Sequence, residues 1–594
     1  MATREAISPA SKILLGLAAV AISFAAADTY VVVLALPDMM TSTGLELDEL
    51  QRAAPIVSGF LLGYVGVLPL IGRISDLRGR VPVLLGSLIV FAIGSLVTAA
   101  AYNLETVVLG RLVQGIGGGG LIPPTLALVA DLWPPKKRGL PLGIVGAVQE
   151  LGSVLGPLYG AAVLAFGDWR LIFWLNCSIG LVLTAAMFAQ RDAVQAQSVE
   201  PARAGRFDTS GAALAVLTLT GLTLVMAAPT ALVQDVQLGR AYLPVTGESR
   251  WLSPLALATA LFLVLFLARQ VTAPRPLVGW RDWPALARET DIWGALLLTA
   301  GLGAVIVTFA SAQPEQGAVS EQAPWLVPIA IAAFAGFTVR QRRAARPLIP
   351  RGALSARPAW GALIVSFFVG ASLIAALVDI PFFARLTVHR DSQLDAALVL
   401  VRFLVALPIG ALLGGWLLRR VPASALTSVA MLMSAVAFWH MSTWDAQSLD
   451  NQTETLSLIL GGLGFGLAIA PVNAALLAHT ADAVHGVTSA LLIVARMVGM
   501  LLGISALTTI GLRAFYTASD KIPPAATLCN GESTLCQAYK DAVRDAGITQ
   551  LHTVFVGAAV CALIAAVLAA VLLREPATGS RSYPTADGDR AEAG

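Results

Sequence analysis

The chain has 594 residues, of which 57% are hydrophobic and only 13% are charged, and its formal net charge is +3. A soluble domain carries about 25% charged residues, so this composition excludes an ordinary soluble enzyme or binding domain and indicates a membrane protein. The small net charge gives no sign of a nucleic-acid partner.

Apolar windows of about 20 residues recur along the whole chain, and each is long enough to cross a hydrocarbon core of ~30 Å. The first follows Arg4 and Lys12, but it is too long for a signal peptide and contains Asp28, so we interpret it as a retained helix. The sequence therefore predicts an all-α integral membrane protein. Sixteen spans are predicted, near residues 13–37, 53–71, 82–101, 104–130, 141–164, 171–189, 210–230, 252–269, 292–311, 325–340, 360–384, 393–417, 422–441, 455–479, 486–515 and 550–573.

Lys and Arg residues concentrate in alternate loops, whereas the intervening loops near 38–50, 102–103, 312–323 and 442–453 contain none. Basic loops face the cytoplasm, so both termini are predicted to be cytoplasmic. The spans divide into two six-helix bundles joined by linker helices. The predicted units are an N-terminal bundle at 1–190, a linker at 191–352, a C-terminal bundle at 353–574 and a disordered cytoplasmic tail at 575–594.

Two charged residues fall inside predicted spans of the N-terminal bundle. Asp28 lies about 15 residues into the first span, which runs outward, and Arg111 about 7 residues into the fourth, which runs inward. Both therefore lie in the outer half of the membrane, and the spacing predicts that they pair.

The run GRISDLRGR fills the tight loop after the second span. Its glycines permit close backbone approach, and Asp76 can pair with an arginine or face a helix N-terminus. A plain basic loop is the simpler interpretation, but the combined spacing favours a specific site. The residues of this loop motif are Gly72, Arg73, Asp76, Arg78, Gly79 and Arg80.

The fifth span carries Glu150 at its midpoint, in the run QELGSVLGPLYG. A carboxylate at the bilayer centre costs roughly 3 kcal/mol on insertion scales, so Glu150 is expected to face other helices, a cavity or a partner charge. The same run predicts a closely packed and kinked helix, because it combines small residues at intervals of four with a proline. These residues are Gly152, Gly156, Pro157 and Gly160.

The linker contains an internal repeat. FDTSGAALAVLTLTGLTL begins one out-and-back pair of spans and TDIWGALLLTAGLGAVIVTF begins another, and the two pairs end in the similar runs RPLVGW and RPLIPRG. We therefore interpret 208–352 as two tandem transmembrane hairpins. The alternative is that one central segment lies along the membrane interface, which leaves fourteen spans.

Further charges fall in spans of the C-terminal bundle. Arg496 lies about 11 residues into its span, at the same depth as Glu150, so the two are candidates for an ion pair between the bundles. This pair is either a lock that opens when Glu150 is protonated or a permanent salt bridge. Asp379 and Arg402 fall toward the outer ends of neighbouring spans, and we predict a structural pair there.

Two of the four cysteines lie in a polar loop, CNGESTLC, on the predicted outer side. Cys529 and Cys536 could close a small disulfide-bonded turn there, but their spacing alone does not decide between a disulfide and two thiols.

Four motifs, in order and on the expected helices, resemble those of the major facilitator superfamily. GRISDLRGR is similar to its signature loop, with Leu77 in place of the usual basic residue, and LGRLVQGIGGGG is similar to its fourth-helix motif. GSVLGPLYGA is similar to the fifth-helix antiporter motif, with Ala161 in place of the last glycine, and DTYVVVLALP resembles the first helix of the drug:proton antiporter branch. The resemblance implies that Asp28 and Glu150 are proton-coupling residues, and the depths above give Arg111 and Arg496 as their partners.

The runs QELGSVLGPLYG, LVDIPFF and HGVTSALLIVARMVGML also resemble the mycobacterial triacylglyceride exporters that work with a periplasmic lipoprotein. The second central hairpin is a departure from that branch. The resemblance implies a proton-driven exporter of lipid or other very apolar molecules in a bacterial inner membrane, with a periplasmic lipoprotein as a partner.

A multidrug:proton antiporter for small amphipathic or cationic drugs shares every motif and is the alternative function. A membrane-embedded enzyme is disfavoured, because the five histidines are scattered and no Cys/His cluster has metal-ligand spacing. No cofactor and no metal are therefore predicted.

Overall fold

The computed structural model describes residues 9–45, 50–195, 208–274, 276–277, 283–310, 320, 322–388, 393–529 and 536–574. Within these ranges the regular structure is helical, with no strand. Sixteen helices there are long and apolar enough to cross a membrane, which confirms the predicted all-α membrane protein with sixteen spans. The tail at 575–594 lies outside the described residues.

The N-terminal bundle has six spans, two of which are each built from two helices. Leu50–Gly66 and Leu68–Arg78 meet just before Pro69, and Leu104–Gly119 and Ile122–Leu132 meet just before a pair of prolines. Proline supplies no backbone N–H, so a break at these points is expected. The helices are α1 (Pro9–Ser42), α2 (Leu50–Gly66), α3 (Leu68–Arg78), α4 (Arg80–Ala99), α5 (Leu104–Gly119), α6 (Ile122–Leu132), α7 (Gly139–Phe166) and α8 (Arg170–Gln195).

The linker forms two helical hairpins, and the four main helices are of spanning length. This supports sixteen spans over fourteen. The first hairpin pairs α9 with α11, and the second pairs α13 with α14. The linker helices are α9 (Thr209–Ala227), α10 (Thr230–Val233), α11 (Pro254–Thr272), α12 (Trp283–Glu289), α13 (Ile292–Ala310) and α14 (Ala323–Arg343).

The repeat seen in the sequence recurs in the side-chain contacts of the two hairpins. Asp208 precedes α9, where its carboxylate accepts the Gly211 backbone N–H at 3.1 Å and the Arg269 guanidinium, at the end of α11, at 3.0 Å. Asp291 precedes α13 and accepts the Gly294 N–H at 3.3 Å and the Arg340 guanidinium at 2.9 Å. Each hairpin is thus closed at its open end by an aspartate that caps the first helix and binds the last turn of the second.

The two hairpins differ in how they contact the bundles. In the first, α9 and α11 pack mainly on each other, and the loop between them reaches the N-terminal bundle, where the Trp251 indole N–H donates to the Tyr102 hydroxyl at 3.1 Å. In the second, α13 packs along α2 and also contacts α19. The second hairpin therefore lies against both bundles.

The C-terminal bundle also has six spans, and aromatic rings fill much of its core. Phe438 contacts both Phe465 and Phe555, at centroid distances of 5.9 and 6.2 Å. The helices are α15 (Arg357–Leu386), α16 (Gln393–Leu417), α17 (Ala423–Met441), α18 (Gln452–Ala478), α19 (His485–Ser519), α20 (Ala525–Leu528) and α21 (Gln537–Leu572).

A disulfide joins Cys529 to Cys536 between α20 and α21. The structure thus favours the disulfide-bonded turn over two thiols at this position. Residues 530–535 of this turn lie outside the described residues.

The two bundles pack tightly at one end of the molecule, which we call the Asp76 end. There α7 meets α16 through glycines: a Cβ on Gly139 would approach the Gly415 carbonyl oxygen to 2.7 Å, and one on Gly415 would approach the Gly139 carbonyl oxygen to 2.5 Å. Only residues without a side chain permit this backbone approach.

Candidate functional site

Asp28, on α1, forms a buried ion pair with Arg111, on α5. Each residue is only 1% exposed. The Asp28 carboxylate also accepts the Gln114 amide at 3.1 Å and the Asn176 amide at 2.6 Å. The carboxylate thus has three donors from two neighbouring helices, α5 and α8, which offset the loss of its hydration.

The Arg111 guanidinium is held on every side. It donates to the Gln114 side-chain oxygen at 2.7 Å and to the Ile56 carbonyl oxygen at 3.3 Å. The rings of Phe60 and Phe173 lie 4.3 and 5.7 Å from it, where the negative face of an aromatic ring attracts a cation. Removing one partner of such a buried pair typically costs about 3–5 kcal/mol, because the other charge is left uncompensated.

Asn176 and Tyr159 belong to this site but were not predicted from the sequence. Asn176 is a lone amide in the apolar run LIFWLNCSIG, and such an isolated polar residue in a span is a usable signal. Tyr159, on α7, lies within electrostatic range of Asp28, and aromatic residues are too common in spans for the sequence to single it out.

Glu150 and Arg496 form the second charged constellation. Glu150 lies eleven residues after Gly139, where α7 begins, and Arg496 eleven residues after His485, where α19 begins. At 1.5 Å per residue both are about 16 Å along their helices, and they interact electrostatically across the two bundles. Within the described part of the chain they do not approach to the 4.0 Å of an ion pair.

Both residues lie in mid-span and are largely but not completely buried. The Arg496 Nε–H has no hydrogen-bond partner among the described residues. Tyr64, on α2, lies within electrostatic range of the same guanidinium. Arg496 therefore has an unused hydrogen-bond donor that contact with Glu150 would satisfy.

The glycines of the fifth-span motif set the packing of α7 on α1. A Cβ on Gly152 would lie 2.1 Å from the Ser23 carbonyl oxygen, and one on Gly156 would lie 2.6 Å from the Ala27 carbonyl oxygen. Gly160 faces Val31, and a Cβ on Gly160 would lie 3.3 Å from the Val31 side chain. This close approach places α7 directly beside Asp28. The side chain of Pro157 lies outside the described residues.

The loop motif joins the two bundles at the Asp76 end. Asp76 forms an ion pair with Arg80 and also accepts the backbone N–H groups of Gly486 and Val487, at 2.8 and 3.0 Å. These N–H groups open α19, so the carboxylate sits at the positive end of a helix dipole. Gly72 contacts the same turn, and a Cβ there would lie 2.5 Å from the Gly486 carbonyl oxygen.

The remaining residues of the loop motif have separate roles. Gly79 has φ +90° and connects α3 to α4 in a backbone conformation that favours glycine. Arg80 also donates to Asp131 at 3.1 Å and to the Asp482 carbonyl oxygen at 3.4 Å. Arg78 ends α3, and the Nε–H of Arg73 has no partner among the described residues.

Arg138 strengthens the same junction and was not singled out in the sequence. Its guanidinium donates to the Ala130 carbonyl oxygen at 2.7 Å within the N-terminal bundle and to the Leu477 carbonyl oxygen at 3.3 Å in the C-terminal bundle. The Asp76 end is therefore closed by charged hydrogen bonds as well as by glycine packing.

The predicted structural pair of Asp379 and Arg402 does not form. Arg402 donates to the Thr455 hydroxyl, on α18, at 3.0 Å, and Asp379 has no ion-pair partner among the described residues. The prediction used depth along the helices, and depth does not tell toward which neighbour a side chain points. The Arg402 side chain points from α16 toward α18.

The described residues contain no group of three or more His, Cys, Asp or Glu that could hold a metal ion. The constellations that the structure does contain are paired charges on opposed helices. Such pairs can bind and release a proton, or attach one bundle to the other.

Comparisons with known proteins agree with this architecture. The profile of the Major Facilitator Superfamily matches residues 18–504. A triacylglyceride transporter of Mycolicibacterium hassiacum is 34% identical over 506 residues, which are 83% of this chain and 78% of that protein. A triacylglyceride transporter of Mycobacterium tuberculosis is 32% identical over 542 residues, 88% of each chain.

The fold is also similar to a solved structure. The crystal structure of the human organic anion transporter MFSD10 superposes with a TM-score of 0.53 at 15% identity, and the match covers 94% of this chain and all of that one. With the profile match over most of the chain, these findings show that the chain belongs to the Major Facilitator Superfamily and is a secondary transporter.

Proposed function

We propose that this chain exports a triacylglyceride-like lipid by proton-coupled alternating access, without a catalytic step. The observation that carries the proposal is the position of Glu150 and Arg496. They lie at one depth on opposite bundles, close enough to attract each other but not bound.

Glu150 and Arg496 act as a lock between the bundles. When Glu150 is ionised, its attraction to Arg496 draws α7 and α19 together. When Glu150 is protonated, this attraction disappears. The interface between the two bundles, which we call the seam, is then free to open on the other side of the membrane. A permanent salt bridge would require direct contact, which this state lacks.

Asp28 is the second proton-linked group. In the described state its charge is balanced by Arg111, and a proton on Asp28 would leave the arginine uncompensated. Because α1 packs on α7 through Gly152 and Gly156, a change at Asp28 is transmitted to the helix that carries Glu150.

A proton gradient supplies enough free energy for this cycle. One proton is worth about 1.4 kcal/mol for each pH unit and about 2.3 kcal/mol for each 100 mV of membrane potential. The cargo assignment is supported by the names of the relatives.

The proposed orientation places the Asp76 end and both chain termini in the cytoplasm of a bacterial inner membrane, in keeping with the basic loops. The disulfide-bonded turn then lies outside. Helix α19 has 35 residues and α21 has 36, so each is about 50 Å long and exceeds a ~30 Å hydrocarbon core. This extension is where a periplasmic lipoprotein would receive the lipid.

Purified protein in liposomes tests the cargo. We expect labelled triacylglyceride to move when a proton gradient is imposed, and movement to stop when a protonophore collapses the gradient. If only small cationic dyes move under the same gradient, the lipid assignment is wrong and multidrug antiport takes its place.

A further inference from the structure

An apolar groove lies between the second linker hairpin and the N-terminal bundle. Its volume is about 490 Å³, within the range of ligand-binding pockets. One wall is formed by α2 and α5, at residues such as Leu62 and Leu112. The other is formed by α13 and α14, at residues such as Ala300 and Ile329.

The groove has the shape of a slot along a helix. It follows α13 from Thr299 to Val307, a rise of about 12 Å over eight residues. Small residues let its walls approach each other closely: a Cβ on Gly63 would lie 2.2 Å from the Leu112 carbonyl oxygen, and one on Gly303 would lie 2.7 Å from the Leu62 side chain. Ala300 remains exposed within it, so the space beside α13 is not filled by the protein.

The groove lies within the hydrocarbon layer of the bilayer, where the surrounding molecules are lipid acyl chains. All four lining helices are membrane spans, and Thr299 lies about 10 Å from the start of α13. Among the described residues that line the groove, Thr299 is the one polar residue, and its hydroxyl already donates to the Gly66 carbonyl oxygen at 2.6 Å. A polar ligand would therefore lose its hydrogen bonds there, whereas a methylene chain would not.

The position of the groove links it to the seam between the bundles. Helix α13 contacts α2 and α3 on one side of the seam and α19 on the other. Thr299 binds the carbonyl oxygen of Gly66, the last residue of α2 before the break to α3. A molecule in the groove thus lies beside the junction at which the two bundles meet.

We propose that this groove binds one acyl chain of a neutral glycerolipid taken from the surrounding bilayer. The groove thereby holds this lipid at the membrane-facing side of the transporter. The choice of a neutral glycerolipid rests on the proposed function, whereas the choice of an acyl chain rests on the lining and the depth of the groove. The second hairpin accordingly serves to build a lipid site on the N-terminal bundle.

Photo-cross-linking of the full-length protein tests this proposal. The probe is a triacylglyceride with a diazirine in the middle of one acyl chain, incorporated into phosphatidylcholine liposomes with the purified protein. After irradiation, mass spectrometry of the peptides should find adducts concentrated on the groove faces of α2, α13 and α14. Excess unlabelled triacylglyceride should remove them, whereas added phosphatidylcholine should not.

Two tryptophan variants in the same hairpin supply the matched comparison. Ala300→Trp places an indole in the slot and should lower groove labelling roughly tenfold. Ala335→Trp adds the same side chain to an exposed position of α14 outside the lining and should leave labelling unchanged. Circular dichroism and thermal unfolding show whether each variant is folded.

The outcomes separate this site from the export function. Adducts spread evenly over the exposed faces of α9 and α11, or groove adducts that Ala300→Trp does not reduce, would overturn the groove. Equal competition by phosphatidylcholine would overturn its preference for a neutral lipid. If the groove is labelled as expected but wild-type protein moves no triacylglyceride, the export function is wrong and the groove stands.

Discussion

Asp28 keeps a charge inside the membrane because the protein replaces water with three donors from Arg111, Gln114 and Asn176. Among the described residues Glu150 has no such set of donors, and its charge interacts with a more distant cation, Arg496. The two carboxylates therefore differ in how easily a proton competes for them. Asp28 must first give up an ion pair, whereas Glu150 gives up only a longer-range attraction.

Asp28→Asn should abolish proton-coupled transport, because the amide cannot gain or lose a proton at this position. It should also lower the stability of the described state by about 3–5 kcal/mol, since Arg111 loses its counter-charge. Transport in liposomes and chemical unfolding in detergent measure the two effects. Asp38→Asn, at an exposed position of the same helix, is the control, and normal coupled transport by Asp28→Asn would contradict the role of Asp28.

Gly72→Ala should hinder closure at the Asp76 end, because the added Cβ would meet the Gly486 carbonyl oxygen at 2.5 Å. Spin labels at the exposed positions Lys137 and Arg419, on opposite bundles, report this closure by pulsed electron resonance. We expect a larger population at long distances in the variant. Gly86→Ala has nothing within 4 Å of the new Cβ and should leave the distance distribution unchanged. An unshifted distribution in Gly72→Ala would show that this contact does not control closure.

At the scale of single residues, the sequence supports predictions of depth but not of direction. Depth along the spans is enough to predict that Asp28 lies near Arg111 and that Glu150 lies at the same level as Arg496. It fails for Arg402, whose side chain turns toward Thr455. Rotation of a helix about its axis depends on packing with its neighbours, and the spacing of charges does not contain that information.

At the scale of helices, each linker hairpin is closed by an aspartate–arginine ion pair, which we call its clamp. The two hairpins differ in their surroundings. The aspartate that opens each hairpin binds an arginine at its close. The repeat of runs such as FDTSGAALA and TDIWGALLL was visible in the sequence. The placement of α13 against both bundles was not, because it depends on shape complementarity between distant segments.

The clamp of the first hairpin should depend on pH. Burial on its own raises the pKa of the Asp208 carboxyl, but the hydrogen bonds from Gly211, Ser210 and Arg269 outweigh it and hold the pKa below its ordinary value. Because the folded pKa is below the unfolded one, the stabilisation is fully present above about pH 4. It is lost as the pH falls through the folded pKa.

Hydrogen exchange of α9, corrected for intrinsic rates, measures this effect. Wild-type protein should lose protection in α9 when acidified below about pH 4, and Asp208→Asn should already lack that protection at neutral pH. Glu248→Gln, at an exposed position in the loop of the same hairpin, should behave as wild type. Equal protection of wild type and Asp208→Asn at every pH would contradict the clamp.

At the scale of the whole molecule, the bundles are joined at the Asp76 end while Glu150 and Arg496 stay partly exposed deeper in the seam. A closed end, with partly exposed charges deeper between the bundles, is what alternating access requires of one state. Two six-helix bundles and sixteen spans could be predicted from hydropathy and charge alone, because the bilayer restricts the chain to helices of spanning length.

The central claim is that the proton on Glu150 couples the gradient to lipid export. The most direct measurement is the rate of labelled triacylglyceride export from liposomes with an imposed pH gradient, for wild type and for Glu150→Gln, with Glu105→Gln at an exposed position outside the seam as the control. We predict that wild type and Glu105→Gln export lipid in response to the gradient, whereas Glu150→Gln inserts and folds but shows no response. Gradient-driven export by Glu150→Gln at the wild-type rate would contradict the account.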